Sequence, residues 1–396
     1  MMKILFDFQN MIGGAPRTQL THMQTMKEAG HEVVATIGRD ADVLRRLSGG
    51  IRIITVREFL LDKPFRNLVL IKQWLKILES EKPDVIHANR TNQYRFLGVV
   101  SDLTGIPLVF AQAGGVALPT DLRPLLGKTP VGYSLENKKT FVSAGFEAQT
   151  VHVISNRMHS LNDSAASHRE LGKSISILLT GNIKGSTVNG MMKLLRNLAS
   201  IGHAHRRFRL LIAGQDITPN KNFDRQVAKQ IALTNKSLIR DGFVEHLGWV
   251  DDIGPIQASS DICIGKGRSV IQPAMAGKVC FVLAESGRLT RVSLATFDSL
   301  YEYNFSGRGD QRDDSAEFFA LFTEGSIWRK AYQEAKDVQS KVREYYLAEG
   351  AKDKLLAAYN DALYTQEKEP SLRKSVNRFA RIYIEWIRFK VSRSEE

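Results

Sequence analysis

One glycine-rich segment carries the residue types of a phosphate-binding site. In Asp261–Leu283 an apolar strand pattern leads into Gly265-Lys266-Gly267, and a helix of small residues begins at Arg268 and Ser269. A strand that enters a helix through glycines presents backbone amides and the positive end of the helix dipole to one spot. Lys266 and Arg268 add positive charge there. The alternative is an ordinary strand-to-helix turn of an α/β protein.

The overall charge predicts an anionic partner. The 396 residues include 55 Lys and Arg against 42 Asp and Glu, a net charge of +13. This balance favours a nucleotide, a nucleic acid, a phospholipid or a lipid-linked phosphate. Because the sequence contains no recognisable nucleic-acid-binding module, we expect no nucleic-acid partner.

The cysteines and the apolar runs indicate a cytoplasmic protein. Cys263 and Cys280 both fall in apolar strand patterns and have no disulfide or metal-ligand spacing. Charged residues interrupt every apolar run before the roughly 18 residues of a membrane span. The short N-terminal run before Asp7 predicts a first strand rather than a secretory signal.

The first half of the chain alternates strand and helix patterns at short spacing, as in a parallel sheet covered by helices. The predicted strands are Lys3–Phe8, Glu32–Ile37, Ile51–Val56, Asp84–His87, Leu108–Gln112 and Val151–Ile154. The predicted helices are Arg17–Ala29, Leu68–Ser80 and Gln93–Leu103.

A second alternating series contains the glycine-rich segment. Its predicted strands are Ile175–Leu179, Phe208–Ala213, Phe243–Leu247, Ile262–Ile264 and Val279–Leu283, and its helices include Val188–Ser200, Asp224–Arg240 and Ile253–Ser259. The last patterns are helical, over Ser315–Phe322, Trp328–Leu347 and Lys352–Tyr364. The sequence thus predicts an α/β fold with two Rossmann-like doubly wound domains facing a cleft and a helical C-terminal extension, with ligands at the carboxyl ends of strands.

Short motifs occur in a fixed order along both halves. They are Gly13–Arg17, Ala29–Val33, Lys82–Ala88, Gly105–Val109, Val153–Asn156, Thr180-Gly181, Lys184-Gly185, Leu247–Val250 and Ser260–Lys278. In this order the chain resembles the GT-B glycosyltransferases, and within them the family-4 group that uses nucleotide-sugar donors. The similarity is closer to bacterial surface-polysaccharide members with a G-x-GRS-x-x-E-AMA-x-G stretch and a segment like Tyr303–Arg308 after it.

The composition of the chain and the resemblance together predict its domain boundaries. Residues 1–156 would form the N-terminal acceptor-side domain, 157–173 a polar linker and 174–326 the nucleotide-sugar domain. Residues 327–368 would form C-terminal helices that pack back towards the N-terminal domain, and 369–396 a basic amphipathic tail.

On the acceptor side or in the cleft, the resemblance and the predicted strand ends together give seven candidate site residues: Gly13, Gly14, Arg17, His87, Asn89, Gly114 and Gly115. Gly13 and Gly14 have no Cβ to keep a ligand away from the backbone, although a plain tight turn is the alternative. His87 ends a predicted strand on the cleft side, and a structural role is its alternative. The family histidine at the end of strand Leu108–Gln112 is absent.

For the donor nucleotide and its diphosphate, the predicted residues are Gly181, Lys184, Gly248, Lys266, Arg268, Ser269, Val270 and Gln272, of which Lys266 is included for its charge beside the glycine-rich turn. Lys184 supplies a point charge on a flexible stem, which suits a diphosphate, and a solvated loop lysine is the alternative. Gly248 matches a position where the base lies against backbone. Arg268 and the amides of residues 268 to 270 would stabilise the departing diphosphate.

The largest departure from the family is the absence of its two glutamates, of which the second binds the donor ribose. An ungapped comparison places Ile264 and Gln272 at these positions, and counting from Ala274 places Gly265 and Pro273 there. Gln272 can bond a ribose hydroxyl without the strengthening effect of a charge. The alternative is that Ser269 and Gln272 form a helix capping box.

The C-terminal tail has a basic amphipathic pattern. Over residues 371–393, apolar and aromatic residues recur at helical spacing among basic ones: Val376, Phe379, Tyr383, Trp386 and Ile387, with Arg373, Lys374, Arg378, Arg381, Arg388, Lys390 and Arg393. Such a helix suits an anionic membrane surface on the inner face of the plasma membrane. The alternative is a helix packed on the N-terminal domain.

The resemblance, taken with these features, implies a glycosyltransferase, specifically a hexosyltransferase, of bacterial surface-polysaccharide synthesis. It would move a sugar from a UDP- or GDP-linked donor to a glycan or lipid-linked glycan, with retention and without a metal or other cofactor, as the resemblance implies. No residue has the pattern of a general base or a nucleophile. The alternatives are a non-catalytic GT-B subunit that binds a partner or glycan, and a nucleotide-sugar epimerase.

Overall fold

The computed structural model describes most of the chain as two compact units. It leaves out residues 12, 61–63, 90, 115–121, 160–173, 182–184, 201–206, 216–221, 239–241, 251, 310–311, 323, 367–368 and 395–396, and the side chains of 64–66, 91–92, 185–186, 207, 222–224 and 385–394. Unit 1 comprises Met1–Arg157 and Ala348–Glu396, and unit 2 comprises Met158–Leu347.

Unit 1 contains a seven-stranded parallel sheet with the order β3-β2-β1-β4-β5-β6-β7. The strands are β1 (Lys3–Phe8), β2 (Glu32–Ile37), β3 (Arg52–Thr55), β4 (Val85–Asn89), β5 (Leu108–Gln112), β6 (Thr129–Gly132) and β7 (His152–Val153). Because β1 lies next to both β2 and β4, the sheet reverses its direction of growth between β1 and β4.

The helices of unit 1 come from both ends of the chain. They are α1 (Gly14–Glu28), α2 (Ala41–Leu47), α3 (Pro64–Glu81), α4 (Thr91–Thr104), α5 (Leu135–Ser143) and, from the C-terminal part, α13 (Lys352–Thr365) and α14 (Leu372–Ser394). Gln366 directly follows α13. Its side-chain amide accepts from the Leu108 backbone amide of β5 at 2.9 Å and donates to the Leu108 carbonyl at 2.8 Å.

Unit 2 contains a six-stranded sheet with the order β10-β9-β8-β11-β12-β13. The strands are β8 (Ser174–Thr180), β9 (Arg207–Ala213), β10 (Gly242–Gly248), β11 (Ile262–Gly265), β12 (Val279–Leu283) and β13 (Leu289–Arg291). All pairs are parallel except β12 with β13, which form an antiparallel edge.

Unit 2 contains seven described helices, and the longest of them ends the unit. They are α6 (Gly185–Ala199), α7 (Asn222–Ser237), α8 (Gly254–Ser259), α9 (Arg268–Met275), α10 (Leu294–Glu302), α11 (Ser315–Ala320) and α12 (Gly325–Tyr346). The predicted C-terminal helical region 327–368 is therefore divided at Leu347, with α12 in unit 2 and α13 in unit 1.

Both faces of each sheet are buried under helices. In β8, Ile177 and Leu179 belong to one apolar core, and Leu178 belongs to the core on the opposite face. In β1, Phe6 and Leu5 divide in the same way. This double burial explains why inner strands such as β5 and β12 are buried at every residue and have continuous apolar runs rather than alternating ones.

Candidate functional site

The carboxyl ends of β8 and β11 form the topological switch point of unit 2. The chain proceeds from β8 outward to β9 and β10, then returns to the other side of β8 as β11. Thr180 and Gly265, the last residues of the two strands, are paired in register. In open α/β sheets this is the place where ligands bind, because the connections after the two strands diverge there.

Gly265 lies where a side chain has no room. A Cβ at this position would be 2.7 Å from the Thr180 carbonyl oxygen and 2.7 Å from the Ser269 Cβ. The start of α9 is therefore packed directly against the end of β8. The glycine predicted to form the turn in fact allows a close approach of helix and sheet.

The amides at the start of α9 are only partly as predicted. Gly267 precedes the helix with φ of 54°, a left-handed conformation, and its amide donates to the Phe305 carbonyl at 2.8 Å. The amides of Ser269 and Val270 bond the Lys266 and Gly267 carbonyls at 3.3 and 3.1 Å. Both amides therefore already have backbone partners within the first turn of the helix. The Val270 side chain is buried in the core.

The capping-box alternative for Gln272 is also wrong. Gly267 rather than Ser269 precedes the helix, and no side chain caps its N-terminus. The Gln272 Nε2 instead donates to the His159 carbonyl at 3.4 Å. Pro273 lies buried inside the eight-residue helix, which begins at Arg268.

Three glycines lie side by side at the carboxyl ends of β8, β9 and β10. The Gly181 amide donates to the Ala213 carbonyl at 3.1 Å, and the Gly214 amide donates to the Gly248 carbonyl at 2.8 Å. A Cβ at Gly214 would be 1.9 Å from the Gly181 carbonyl oxygen, whereas Gly181 and Gly248 have no atom within 4 Å of an added Cβ. We call Gly181, Gly214 and Gly248 the glycine row. It is a surface of bare backbone that a flat ring can approach closely.

Charged side chains lie beside the switch point. Lys266 and Arg268 are half-buried, and the Lys266 Nζ is 3.7 Å from the Glu285 Oε1. The predicted Lys184 lies outside the described residues. Among the residues that are described, no three His, Cys, Asp or Glu side chains are grouped as metal ligands.

In unit 1, Gly13 and Gly14 lie at the start of α1. Gly13 has φ of 94°, and neither residue has an atom within 4 Å of an added Cβ. Arg17 is half-buried one turn further along. Gly114, with φ of 51°, is exposed after β5, and Gly115 lies outside the described residues.

His87 is a core residue rather than a surface one. It is fully buried, its Nδ1 is 2.8 Å from the Tyr359 hydroxyl oxygen, and its ring stacks on Phe6. Burial lowers its pKa to about 3, so it is neutral at physiological pH. The structure therefore favours the structural role for His87, because α13 covers the face of β4 to which it points.

Asn89 ends β4 at the switch point of unit 1, yet it is also buried. Its Nδ2 donates to the Tyr133 hydroxyl at 3.3 Å and to the Ala15 carbonyl at 3.4 Å. In this arrangement Asn89 fixes the start of α1 against the sheet. Gln19 of α1 adds a second tie, since its amide donates to the Asp7 carbonyl at 2.8 Å.

The tail helix α14 packs its aromatic side on unit 1. Phe379 and Ile382 join an apolar core, the Tyr383 hydroxyl accepts from Asn67 at 2.8 Å, and Arg378 pairs with Asp102. For these residues the packed-helix alternative holds. Leu372, Val376 and Ile384 remain exposed. Trp386, Ile387, Arg388, Lys390 and Arg393 have side chains outside the described residues. Among the described helices, none has the length and apolar character needed to cross a bilayer.

Sequence reasoning assigned no role at the switch point to three of its contributors. Thr180 supplies a carbonyl to the close contact with Gly265, and Gly214 is the middle of the glycine row. A glycine directly after a predicted strand was the available signal for Gly214. Phe305 positions Gly267 from a segment distant in the sequence, and no local pattern indicates that contact.

Solved structures match this chain over about nine tenths of its length. A glycosyltransferase from Rickettsia africae ESF-5 is 16% identical with a TM-score of 0.66, over 92% of this chain and 100% of that one. Anabaena Alr3699/HepE in complex with UDP-glucose is 17% identical with a TM-score of 0.66, over 90% and 100%. The lipopolysaccharide outer core galactosyltransferase WaaB is 14% identical with a TM-score of 0.54, over 92% and 99%. No protein-family model and no curated protein matches the sequence. The chain has the GT-B fold.

Proposed function

We propose that this protein is a glycosyltransferase that moves a sugar from a nucleotide-sugar donor to a glycan or lipid-linked glycan. The observation that carries the proposal is the switch point of unit 2, where the glycine row adjoins the start of α9 and the cations Lys266 and Arg268. A bare backbone surface beside two cations suits a ligand that is flat at one end and anionic at the other.

In this proposal the nucleotide lies along the carboxyl edge of the sheet. The base lies against the glycine row near Gly248, and the diphosphate lies beside Lys266, Arg268 and Lys184. The departing diphosphate gains negative charge during transfer, and fixed cations that contact it there stabilise the transition state more than the ground state. HepE, which has been solved with UDP-glucose, supports a UDP-linked hexose as the first donor to test.

The missing carboxylate predicts weak donor binding. If Gln272 replaces the ribose-binding glutamate, a charge-assisted hydrogen bond becomes a neutral one, which costs roughly 1 kcal/mol, or about fivefold to tenfold in affinity. If Pro273 holds that position, the whole bond is lost and the cost is larger. Retention of configuration and a family-4 assignment remain parts of the proposal.

Ligand binding tests the proposal directly. We expect UDP or GDP, and one of the corresponding nucleotide sugars, to raise the melting temperature at saturating concentration. Lys184→Ala should weaken the binding of the diphosphate, whereas Lys229→Ala, which changes an exposed lysine of α7 in the same unit, should not. The enzyme proposal fails if none of these nucleotides stabilises the protein. If nucleotides bind and Lys184→Ala binds them as tightly, the diphosphate lies elsewhere.

A second candidate is a non-catalytic GT-B subunit that binds a glycan or a partner. The sequence favours it because neither register finds a carboxylate at the two glutamate positions of the family. One register has Ile264 and Gln272 there, and the other has Gly265 and Pro273. Turnover separates the two candidates. Release of UDP or GDP from the matching donor in the presence of lipid-linked glycan supports the transferase, and glycan binding without any release supports the subunit.

We further propose that the acceptor belongs to bacterial surface-polysaccharide synthesis and is reached at a membrane. WaaB is a lipopolysaccharide outer core galactosyltransferase, which supports this acceptor class. The outer face of α14, which we define as Leu372, Val376 and Ile384 with the exposed Arg373, Lys374 and Arg381, combines apolar and basic residues. Such a face suits an anionic lipid surface.

A further inference from the structure

We infer that Glu285 is the carboxylate of the donor site and that it binds hydroxyl groups of the donor sugar. This inference rests on the proposed function and identifies the charged hydrogen-bond acceptor of that site. Glu285 follows β12, the strand next to β11 on the side away from β8. It was not among the residues singled out from the sequence.

The first support is its distance from the glycine-rich segment. The Glu285 Oε1 is 3.7 Å from the Nζ of Lys266, which lies between Gly265 and Gly267 at the switch point. The Glu285 side chain is 57% exposed and that of Lys266 26%. A carboxylate that is this accessible can accept hydrogen bonds from a ligand without leaving its lysine.

The second support is the rigidity of the backbone that carries Glu285. It lies in the turn between β12 and β13, which the Ala284 amide closes by donating to the Arg288 carbonyl at 2.9 Å. Two glycines pack against Ala284: a Cβ on Gly190 would be 2.4 Å from its carbonyl oxygen, and one on Gly307 would be 3.0 Å from its Cα. A fixed backbone limits the entropy lost when the side chain binds a ligand.

The third support is the order of strands along the carboxyl edge. The glycine row spans β10, β9 and β8, and the cations follow at β11. Neighbouring strands are about 4.8 Å apart, so the end of β12 lies one strand beyond the cations. A ligand with its base on the glycine row and its diphosphate at β11 has its sugar at β12. Glu285 is therefore at the sugar end.

The charge of Glu285 makes two opposite predictions. It accepts hydrogen bonds from sugar hydroxyls, so its loss weakens binding of the nucleotide sugar. It also repels the neighbouring diphosphate, so its loss does not weaken binding of the free nucleoside diphosphate and can strengthen it. A residue with only a structural role would change both affinities in the same direction.

The test compares UDP with UDP-glucose by titration calorimetry, or GDP with GDP-mannose if the wild type binds the guanine pair. In Glu285→Gln we expect the dissociation constant of the nucleotide sugar to rise about fivefold to tenfold, with that of the free diphosphate unchanged or lower. The matched control is Asp298→Asn, which removes the carboxylate of another surface pair, with Lys341 at 2.7 Å. It should change neither constant.

The outcomes separate the inference from the function on which it rests. If the wild type binds no nucleoside diphosphate, the proposed function fails and Glu285 loses its role with it. If the wild type binds both ligands and Glu285→Gln leaves the nucleotide-sugar affinity unchanged, or weakens both ligands equally, the inference alone is overturned. The melting temperature of Glu285→Gln verifies that the variant is folded.

Discussion

Substitutions in the glycine row separate packing from ligand binding. At Gly214, a methyl group would be 1.9 Å from the Gly181 carbonyl oxygen, and φ is 153°. Overpacking of this kind costs about 1–3 kcal/mol, and the unfavourable backbone conformation adds about 1 kcal/mol. We therefore expect Gly214→Ala to lower the free energy of unfolding by about 2–4 kcal/mol, a fall of roughly 5–15 °C in melting temperature for a unit of this size.

Gly181→Ala is the matched control for that change. No atom lies within 4 Å of its added Cβ. Its stability should therefore remain within about 0.5 kcal/mol of the wild type. If the donor base lies on the glycine row, the same methyl group holds the base away from the backbone and weakens nucleotide binding. Calorimetric melting with and without nucleotide measures both effects. A Gly214→Ala protein that melts like the wild type would refute the packing argument, and unchanged nucleotide affinity in Gly181→Ala would refute the placement of the base.

The buried ionisable groups of unit 1 and the outer face of α14 give three further predictions. Burial raises the pKa of Asp7 to about 7, so between pH 4 and 7 the native state holds a proton that the unfolded chain releases, and the free energy of unfolding falls as the pH rises. Across this pH range the fall is on the order of 4 kcal/mol. Urea titrations of Asp7→Asn should show no such pH dependence. Burial lowers the pKa of His87 to about 3, so the unfolded chain binds a proton at a higher pH than the native state, and the free energy of unfolding falls as the pH drops below about 6.5. In His87→Gln the free energy of unfolding should depend less on pH below 6.5, and an unchanged dependence would contradict this. The double variant Arg373→Glu, Lys374→Glu should bind phosphatidylserine vesicles about tenfold more weakly or worse. The control variant Lys229→Glu should bind them as the wild type does. If the wild type and both variants sediment equally with the vesicles, the outer face of α14 is not the contact.

Much of the fold could be predicted because the strands are buried on both faces. The bounds of β1, β2, β5 and β12 agree with the predicted ones, since each strand is a short, mostly apolar run and polar or glycine residues lie within two positions of its end. Other elements lack such a signal. The strand β6 reads Thr-Pro-Val-Gly, and β13 is a three-residue antiparallel edge. Their existence depends on a neighbouring strand that already presents backbone groups to bond.

The candidate site was predictable in its location but not in its contacts. The glycines at 265 and 267 mark the switch point from the sequence alone. The closed first turn of α9 and the buried position of His87 depend on which segments cover them, namely the Phe305 segment and α13. Likewise, Glu285 comes near Lys266 only because β12 is the neighbour of β11. These contacts depend on strand order and on which segments pack together, and local sequence patterns cannot predict either.

The return of the chain to unit 1 has a consequence for synthesis on the ribosome. Unit 2 is a continuous stretch inserted into unit 1, and its two ends are adjacent, since the Met158 amide bonds the Tyr346 carbonyl at 2.9 Å. Its sheet and helices are complete before α13 has been made. Unit 1, by contrast, begins first and finishes last: the hydroxyl that meets His87 and the amide that ties β5 arrive only with Tyr359 and Gln366. The first 157 residues therefore wait, with the part of their sheet that α13 covers still exposed, until the inserted unit has been synthesised.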